Sequence, residues 1–195
     1  MPPKTPAEPE QRTQAIRAAA RLLWTRGLHR TPMKQVLAES GTPRGSVYFY
    51  FPRGKVELAH EAVKTAQTAV GHALEKALLA PTVAAGMRRF VADIEQRMNR
   101  ARFNYGCPIG TATVEAMYWS DEIRRACDQA FAQWRERLAL RLQEDGLPAQ
   151  AAAQMATLLV CTIEGAMILC QAQRSTEPLH TAMQGLLPLL SVRKD

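Results

Sequence analysis

Cysteine is sparse here and never paired in sequence. Cys107, Cys127, Cys161 and Cys170 are scattered through 195 residues with no C-x-x-C spacing, and a chain this long with 47% hydrophobic residues does not need disulfide staples. Reduced thiols in a cytoplasmic protein are the expectation. Long apolar runs are missing as well. The nearest approach, Met155 to Cys170, carries Glu164 at its middle, which predicts a buried helix and no membrane association. The N-terminal MPPKTPAEPEQR lacks the apolar centre of a signal peptide. Its prolines and charges predict a short disordered leader over residues 1–8.

Catalytic and metal-binding patterns are also lacking. His29, His60, His72 and His180 are dispersed, without metal-ligand spacing among themselves or with the cysteines. His60 and Glu61 resemble only the start of H-E-x-x-H, because Lys64 holds the second ligand position. No Gly-rich phosphate loop and no G-x-S-x-G occurs. The expectation is therefore a non-enzyme without metal or cofactor. Strand-like alternation is scarce and no internal repeat stands out, whereas helical periodicity recurs throughout, so the fold class is all-α.

The chain does hold an asymmetric charge. Residues 1–58 contain ten basic and four acidic residues, a surplus of +6 out of a total of +7, which leaves +1 for the other 137. A basic head on a nearly neutral body suits a polyanion that touches only the head. Within that head, residues 33–53 read MKQVLAESGTPRGSVYFYFPR. Met33, Val36, Leu37 and Ala38 mark one helical face, Gly41 suits a left-handed helix end, and Pro43 suits the first turn of a second helix that Pro52 stops. Two short helices across a tight Gly-containing turn form the helix-turn-helix arrangement, whose second helix can enter a DNA major groove. Arg44, Ser46 and Tyr48 are side chains able to reach phosphates and base edges. A helix over about 9–25 precedes the motif, with Ile16, Ala19, Ala20 and Leu23 on one stripe, and Thr31 is expected as N-cap before Pro32.

Behind the head, a long helix is expected from Lys55 to about 79 with a stripe of small residues (Ala59, Val63, Ala66, Val70, Ala73, Ala77). A second follows from about 82 to 102 on Val83, Met87, Phe90, Val91, Ile94 and Met98, its arginines on the solvated side. Gly106, Pro108 and Gly110 break the next stretch into a loop and a short helix. Ser120 is expected to cap a strongly amphipathic helix over about 121–146. The helix from Pro148 to about 173 is apolar almost all round, and the last, about 177–191, has Leu179, Met183, Leu186, Leu187 and Leu190 on one face. These two predict a four-helix interface in a two-fold homodimer, in preference to the alternative that both simply complete the monomer core. An apolar ligand pocket between body helices would draw on Phe90, Ile94, Met98, Met117, Tyr118, Trp119, Phe131 and Trp134, each of which suits a core as well. Glu164 would pair with an arginine, meet its twin across the dimer axis, or contact a ligand, because an unpaired buried carboxylate is costly.

The stretch TPMKQVLAESGTPRGSVYFYFPRGKVEL at 31–58 resembles the head of the tetracycline-repressor (TetR) family of bacterial regulators through Gly41, Gly45, Ser46, Tyr48, Tyr50, Phe51 and Lys55. Phe49 stands where histidine is commoner, and one extra residue precedes Lys55. That extra residue, with YGCPIG at 105–110, resembles the LmrA/YxaF-like branch. The resemblance implies an all-helical homodimer of nine or ten helices. Its DNA-binding domain would span 9–54, with the motif at about 33–52, and its ligand-binding and dimerisation domain 55–195. It implies DNA contacts for Thr31, Thr42, Arg44, Gly45, Ser46, Tyr48 and Lys55, and leaves Phe49 to pack on a thymine methyl or a sugar. The expected function is a repressor released from a palindromic double-stranded DNA operator by a small apolar or aromatic effector. Activation and thiol-based sensing through Cys107 or Cys127 are the alternatives.

Overall fold

In the computed structural model, residues 8–118 and 120–190 are described, without the side chains of Glu8, Pro9, Arg44 and Val47. Nine α-helices and no strand occur among them. They are α1 (Glu8–Arg26), α2 (Met33–Ser40), α3 (Val47–Tyr50, entered through a 3-10 turn Arg44–Ser46), α4 (Lys55–Leu78), α5 (Val83–Arg100), α6 (Pro108–Ala116), α7 (Asp121–Glu144), α8 (Ala149–Gln173) and α9 (Glu177–Leu186). A 3-10 turn, Leu187–Leu190, follows α9. The all-helical class and the order of elements match expectation. The leader, except for Glu8 in α1, and Ser191 lie outside the described residues, as does Trp119.

The chain folds as two compact units: residues 1–67 with 108–127, and residues 68–107 with 128–195. In the first, Ala15, Ala18, Ala19 and Ala20 keep one side of α1 shallow, so Leu22, Val36, Phe51, Leu58 and Ala62 close around it. Phe51 is fully buried, and the Arg12 guanidinium lies 5.2 Å from its ring centre. Gly41 ends α2 at φ +68, and the Gly41 and Thr42 amides both donate to Leu37 O, a left-handed cap that a Cβ would strain. Two expectations fail in α2. Pro32, not Thr31, occupies the N-cap position, without a side-chain cap bond. The Thr31 hydroxyl instead donates to Gly27 O at 2.6 Å. Ala38 faces solvent, since the buried stripe of so short a helix is filled by Val36 and Leu37.

In the second unit, α5 buries Val83, Met87, Val91, Ile94 and Met98 as its spacing requires, while Phe90 is half-buried. Thr82 caps α5 by accepting from Ala85 N at 3.2 Å. The tight α4–α5 connection is held from α7. Arg141 donates to Leu78 O, Ala80 O and Pro81 O at 3.3, 3.1 and 3.0 Å, and is braced by Asp145, which itself accepts from Val83 N at 2.6 Å. A cation thus meets the carbonyl end of α4 and a carboxylate the amide end of α5, as helix dipoles favour. Within this unit α4 and α7 run parallel, Gly71 beside Trp134, Glu75 beside Arg137 at 3.6 Å and Leu78 beside Arg141. Helix α8 buries Ala152, Ala156, Leu159, Ile163, Ala166, Met167 and Cys170 and packs on α9. By length and composition α8 would span a bilayer, and only a third of its apolar window is buried within the chain, less than the buried helix expected from sequence.

Candidate nucleic-acid interface

The helix-turn-helix is built by α2, the Gly41 turn, and a 3-10 turn that tightens into the single helical turn of α3. Pro43 O accepts from Ser46 N at 3.0 Å, starting that turn. So short a helix cannot stand alone, and it is anchored from behind. The Tyr50 hydroxyl donates to Gln11 Oε1 at 2.8 Å, Arg12 Nε donates to Tyr50 O at 3.4 Å, and Phe51 fills the core. Anchoring through Tyr50 and Phe51 turns the preceding two aromatics outward. Tyr48 is 74% exposed and Phe49 65%. Phe49 and Tyr50 meet edge to face, with ring centres 5.3 Å apart. Gly45 is exposed, Ser46 half-buried and Lys55 exposed. The Arg44 side chain lies outside the described residues.

Two expected contacts are not presented by this surface. Thr31 is 7% exposed with its hydroxyl proton given to Gly27 O, so no proton remains for a phosphate oxygen. Thr42 is 5% exposed, and its hydroxyl accepts from Ser40 Oγ at 2.8 Å, which closes the turn from inside. The extra residue before Lys55 is absorbed in a turn: Gly54 takes φ +63 and its amide donates to Phe51 O at 2.8 Å. That turn carries Arg53, whose guanidinium makes a two-pronged contact to Glu122, at 2.6 and 3.0 Å, with His60 Nδ1 3.7 Å from the same carboxylate. Hydrogen bonding to Glu122 raises the Arg53 pKa, and hydrogen bonding to Arg53 lowers that of Glu122. Arg53 is therefore tied internally, whereas Lys55 forms no ion pair among the described residues.

Sequence reasoning missed the carboxylates that brace this surface. Glu115 of α6 accepts from Leu28 N and, at 3.0 Å, His29 N, the amides of the turn between α1 and α2. Gly27, at φ +75, leaves the space that the Glu115 carboxylate occupies. No short-range signal marks such a contact, since 86 residues separate His29 from Glu115.

The proposed body pocket is only partly assembled. Ile94, Met98 and Trp134 are buried, Phe90, Phe131 and Glu164 half-buried, all in the second unit. Phe131 and Trp134 meet edge to face, centres 5.5 Å apart. Met117 and Tyr118 belong to the first unit and are exposed, because the chain turns outward after α6, so they wall no enclosed space. Glu164 pairs with no arginine among the described residues. Burial raises its pKa, and the Cys107 thiol, donating to it, opposes that rise. Burial pushes the Cys127 and Cys170 thiols up and carries Tyr105 to about 12.

Residues 15–62 match the profile of bacterial regulatory proteins of the tetR family, and residues 83–185 that of the C-terminal domain of LmrA/YxaF-like transcriptional regulators. The chain belongs to the TetR family. It is a DNA-binding transcriptional regulator of the LmrA/YxaF-like branch, not an enzyme. It is 34% identical over 187 residues to a helix-turn-helix transcriptional regulator of Mycobacterium tuberculosis (strain ATCC 25618 / H37Rv), covering 92% of this chain and 93% of that protein. To the regulators YxaF and LmrA of Bacillus subtilis (strain 168) it is 30% and 29% identical over 171 residues, covering 87% of this chain and 90% and 91% of theirs. Among solved structures, a regulatory protein TetR from Rhodobacter sphaeroides superposes with a TM-score of 0.78 at 24% identity, over 90% of this chain and 96% of that one. A TetR regulator from Legionella pneumophila gives 0.81 at 15% identity, over 95% and 98%. At those identities the likeness is one of fold.

Proposed function

We propose that this TetR-family regulator is a homodimeric repressor that leaves a near-palindromic operator when a small apolar or aromatic effector binds its body. The observation that carries the DNA-reading half is the outward turn of Tyr48 and Phe49 beside Gly45, Ser46 and Lys55. Two large aromatics standing in water, on a short helix anchored from behind, suit insertion against a duplex. In this reading Arg44 reads a base edge, Tyr48 and Lys55 hold phosphates, Phe49 packs on a thymine methyl or a sugar, and residues 9–54 act as the head of a cytoplasmic protein.

The dimer draws support from α8. Leu158, Cys161, Gly165 and Ile168 recur at helical spacing on its exposed side, with Leu169 next to them and Leu189 exposed beyond α9. Apolar surface of this kind gains about 25 cal/mol for each Å² removed from water, and a two-fold partner offers the same stripe in return. Two heads held by such a dimer meet half-sites about one helical turn, or a multiple of it, apart. Effector release requires tighter binding to a state whose head spacing no longer fits DNA, and the body residues 55–195 supply the site. Thiol-based sensing gains no support from Cys127 or Cys170, because the thiolate is the reactive form and burial disfavours it there.

The test is a mobility shift against the DNA flanking the protein's own gene. Specific retention at moderate salt is expected. Arg44→Ala relaxes sequence preference, whereas Lys55→Ala weakens all sequences alike and lowers the salt slope by about one. If no fragment is retained specifically, or both variants lose affinity equally and without regard to sequence, the role assignment is wrong.

A further inference from the structure

An apolar cleft lies where α1, α2 and α4 meet in the first unit. Ala19 of α1, Met33 of α2, and Ala59 and Ala62 of α4 line it, together with Leu28 and Thr31 of the α1–α2 turn. Its enclosed part holds about 20 Å³, and with its open mouth the cleft measures about 280 Å³. The first is space for one water-sized group, such as the tip of a branched alkyl chain, and the second leaves room for the atoms behind that tip. Alanine causes the gap, since Ala19, Ala59 and Ala62 are almost fully buried where larger side chains would fill the space. The walls give water little to bond to, and Thr31 has committed its hydroxyl proton to Gly27 O at 2.6 Å. One charge lines the cleft. Lys55 opens α4, is exposed, and forms no ion pair among the described residues. A lysine that lines an apolar wall and stays exposed lays its methylenes along the wall and keeps its ammonium in water at the rim. Glu57 and Glu61 lie off that stripe of α4, 3.6 and 3.7 Å from Arg12, so neither takes up the ammonium.

We propose that this cleft is a ligand site, within the DNA-reading head, for a short branched aliphatic carboxylate whose alkyl tip enters the recess and whose carboxylate meets Lys55. Each part of the ligand has its reason. The alkyl tip leaves water for an apolar recess, and the anion finds the one cation at the rim, where a second cation would be repelled. Binding needs no movement of a helix, because the recess and its ammonium already stand open. The consequence for DNA rests on the reading of Lys55 as a phosphate contact. A carboxylate and a DNA phosphate on the same ammonium exclude each other, so the ligand weakens operator binding by competition in the head itself, independently of any effector in the body.

The probe is sodium isovalerate. It is compared with isovaleramide, which keeps the shape and loses the charge, and with sodium acetate at equal ionic strength, which keeps the charge and lacks the branched tip. In full-length protein labelled at the methionine methyls, the Met33 resonance is assigned by its loss in Met33→Leu. It shifts saturably with isovalerate and stays in place with acetate. Isovaleramide binds about two- to fivefold more weakly than the acid, the range of an exposed ion pair. Lys55→Met, which keeps the unbranched stem on an exposed side chain, brings the acid down to the affinity of the amide. Ala59→Val fills the recess and lowers isovalerate affinity about tenfold, as excluding two methyl groups requires. Should that variant fail to fold, Lys55→Met decides. A Met33 resonance that isovalerate leaves in place, equal affinity for acid and amide, or unchanged affinity in Lys55→Met overturns the site. A DNA readout keeps the two proposals apart. Isovalerate at saturation should weaken operator binding about as much as Lys55→Ala does, in the parent and not in Ala59→Val. Weakening that persists unchanged in Ala59→Val places the acid elsewhere and overturns the site. Isovalerate that shifts Met33 through Lys55 yet leaves operator binding intact counts against Lys55 as a phosphate contact and leaves the site standing.

Discussion

Replacing Glu115 by alanine is expected to loosen the DNA-reading head although residue 115 lies far outside it in sequence. Glu115 Oε2 accepts from both Leu28 N and His29 N, in the turn that follows the Gly27 end of α1. The Leu28 amide is part-buried, so removing the carboxylate strands a donor that water reaches poorly, at a cost of about 1–3 kcal/mol. The His29 amide is exposed and finds water, adding a few tenths of a kcal/mol at most. The sum is about 2 kcal/mol, which in a domain of this size lowers the melting temperature by about 4–8 °C. Glu115→Gln keeps an acceptor oxygen and gives up only its charge, so it should lose about half as much. Gly27→Ala reaches the same contact from the other side, since its Cβ intrudes on the carboxylate and its backbone sits at φ +75. Urea unfolding followed by circular dichroism measures all three. A Glu115→Ala variant within about 0.5 kcal/mol of the parent would mean that the two amides do not depend on this carboxylate, and the argument would fail.

Arg141→Ala removes the donor to three carbonyls of the α4–α5 connection and leaves Asp145 without its cation; a loss of about 2–3 kcal/mol in urea unfolding is expected, and Arg141→Lys should recover little of it. Arg174 ends α8 at φ +52, so Arg174→Gly should stabilise by about 0.5–1 kcal/mol, seen as a higher melting temperature. Tyr105 has its pKa raised to about 12 by burial, so the unfolded chain, ionising near the ordinary value of 10, gains stability first as the solution becomes alkaline. Folding stability should therefore be unaffected by this group below about pH 10 and fall by at most about 2–3 kcal/mol as pH rises towards 12, a component that Tyr105→Phe abolishes. A tyrosinate absorbance titration in which every tyrosine ionises at the ordinary value would contradict it.

What was legible in the sequence was whatever is encoded within one or two turns. The stripe of α5, the Ser120 cap of α7, whose oxygen accepts from Ile123 N at 3.3 Å, and the left-handed Gly41 all follow from local spacing and backbone preference. The aromatic run at 48–51 was legible too, since four consecutive residues of a helix cannot all face one core. Contacts that close over long loops were not. In the periodic pattern of α7, Arg141 is an ordinary polar residue, and only folding reveals the carbonyls about 60 residues earlier that it serves. Thr31 was misplaced because a threonine before a proline has the composition of an N-cap, while its actual partner is the carbonyl four residues back. Met117 and Tyr118 were misplaced for a related reason: hydrophobicity marks a residue as worth burying, yet the short α6 ends before them and nothing in its unit covers them.

The same distinction alters the meaning of the basic head. Ten cations over residues 1–58 identified a polyanion partner, but a count along the chain does not say which of them remain available. Arg12 lies 3.6 and 3.7 Å from Glu57 and Glu61, Arg53 is held by Glu122, and Arg26 donates to Gln35 at 3.0 Å. Arg17, Arg21, Arg30, Lys34 and Lys55 are exposed and form no ion pair among the described residues. Counterion release counts only the cations that neutralise phosphates, so the salt dependence of operator binding follows the second group and not the total. Substituting Lys34 or Lys55 should flatten that dependence, whereas substituting Arg53 should act mainly through stability, because its charge is already met by a carboxylate.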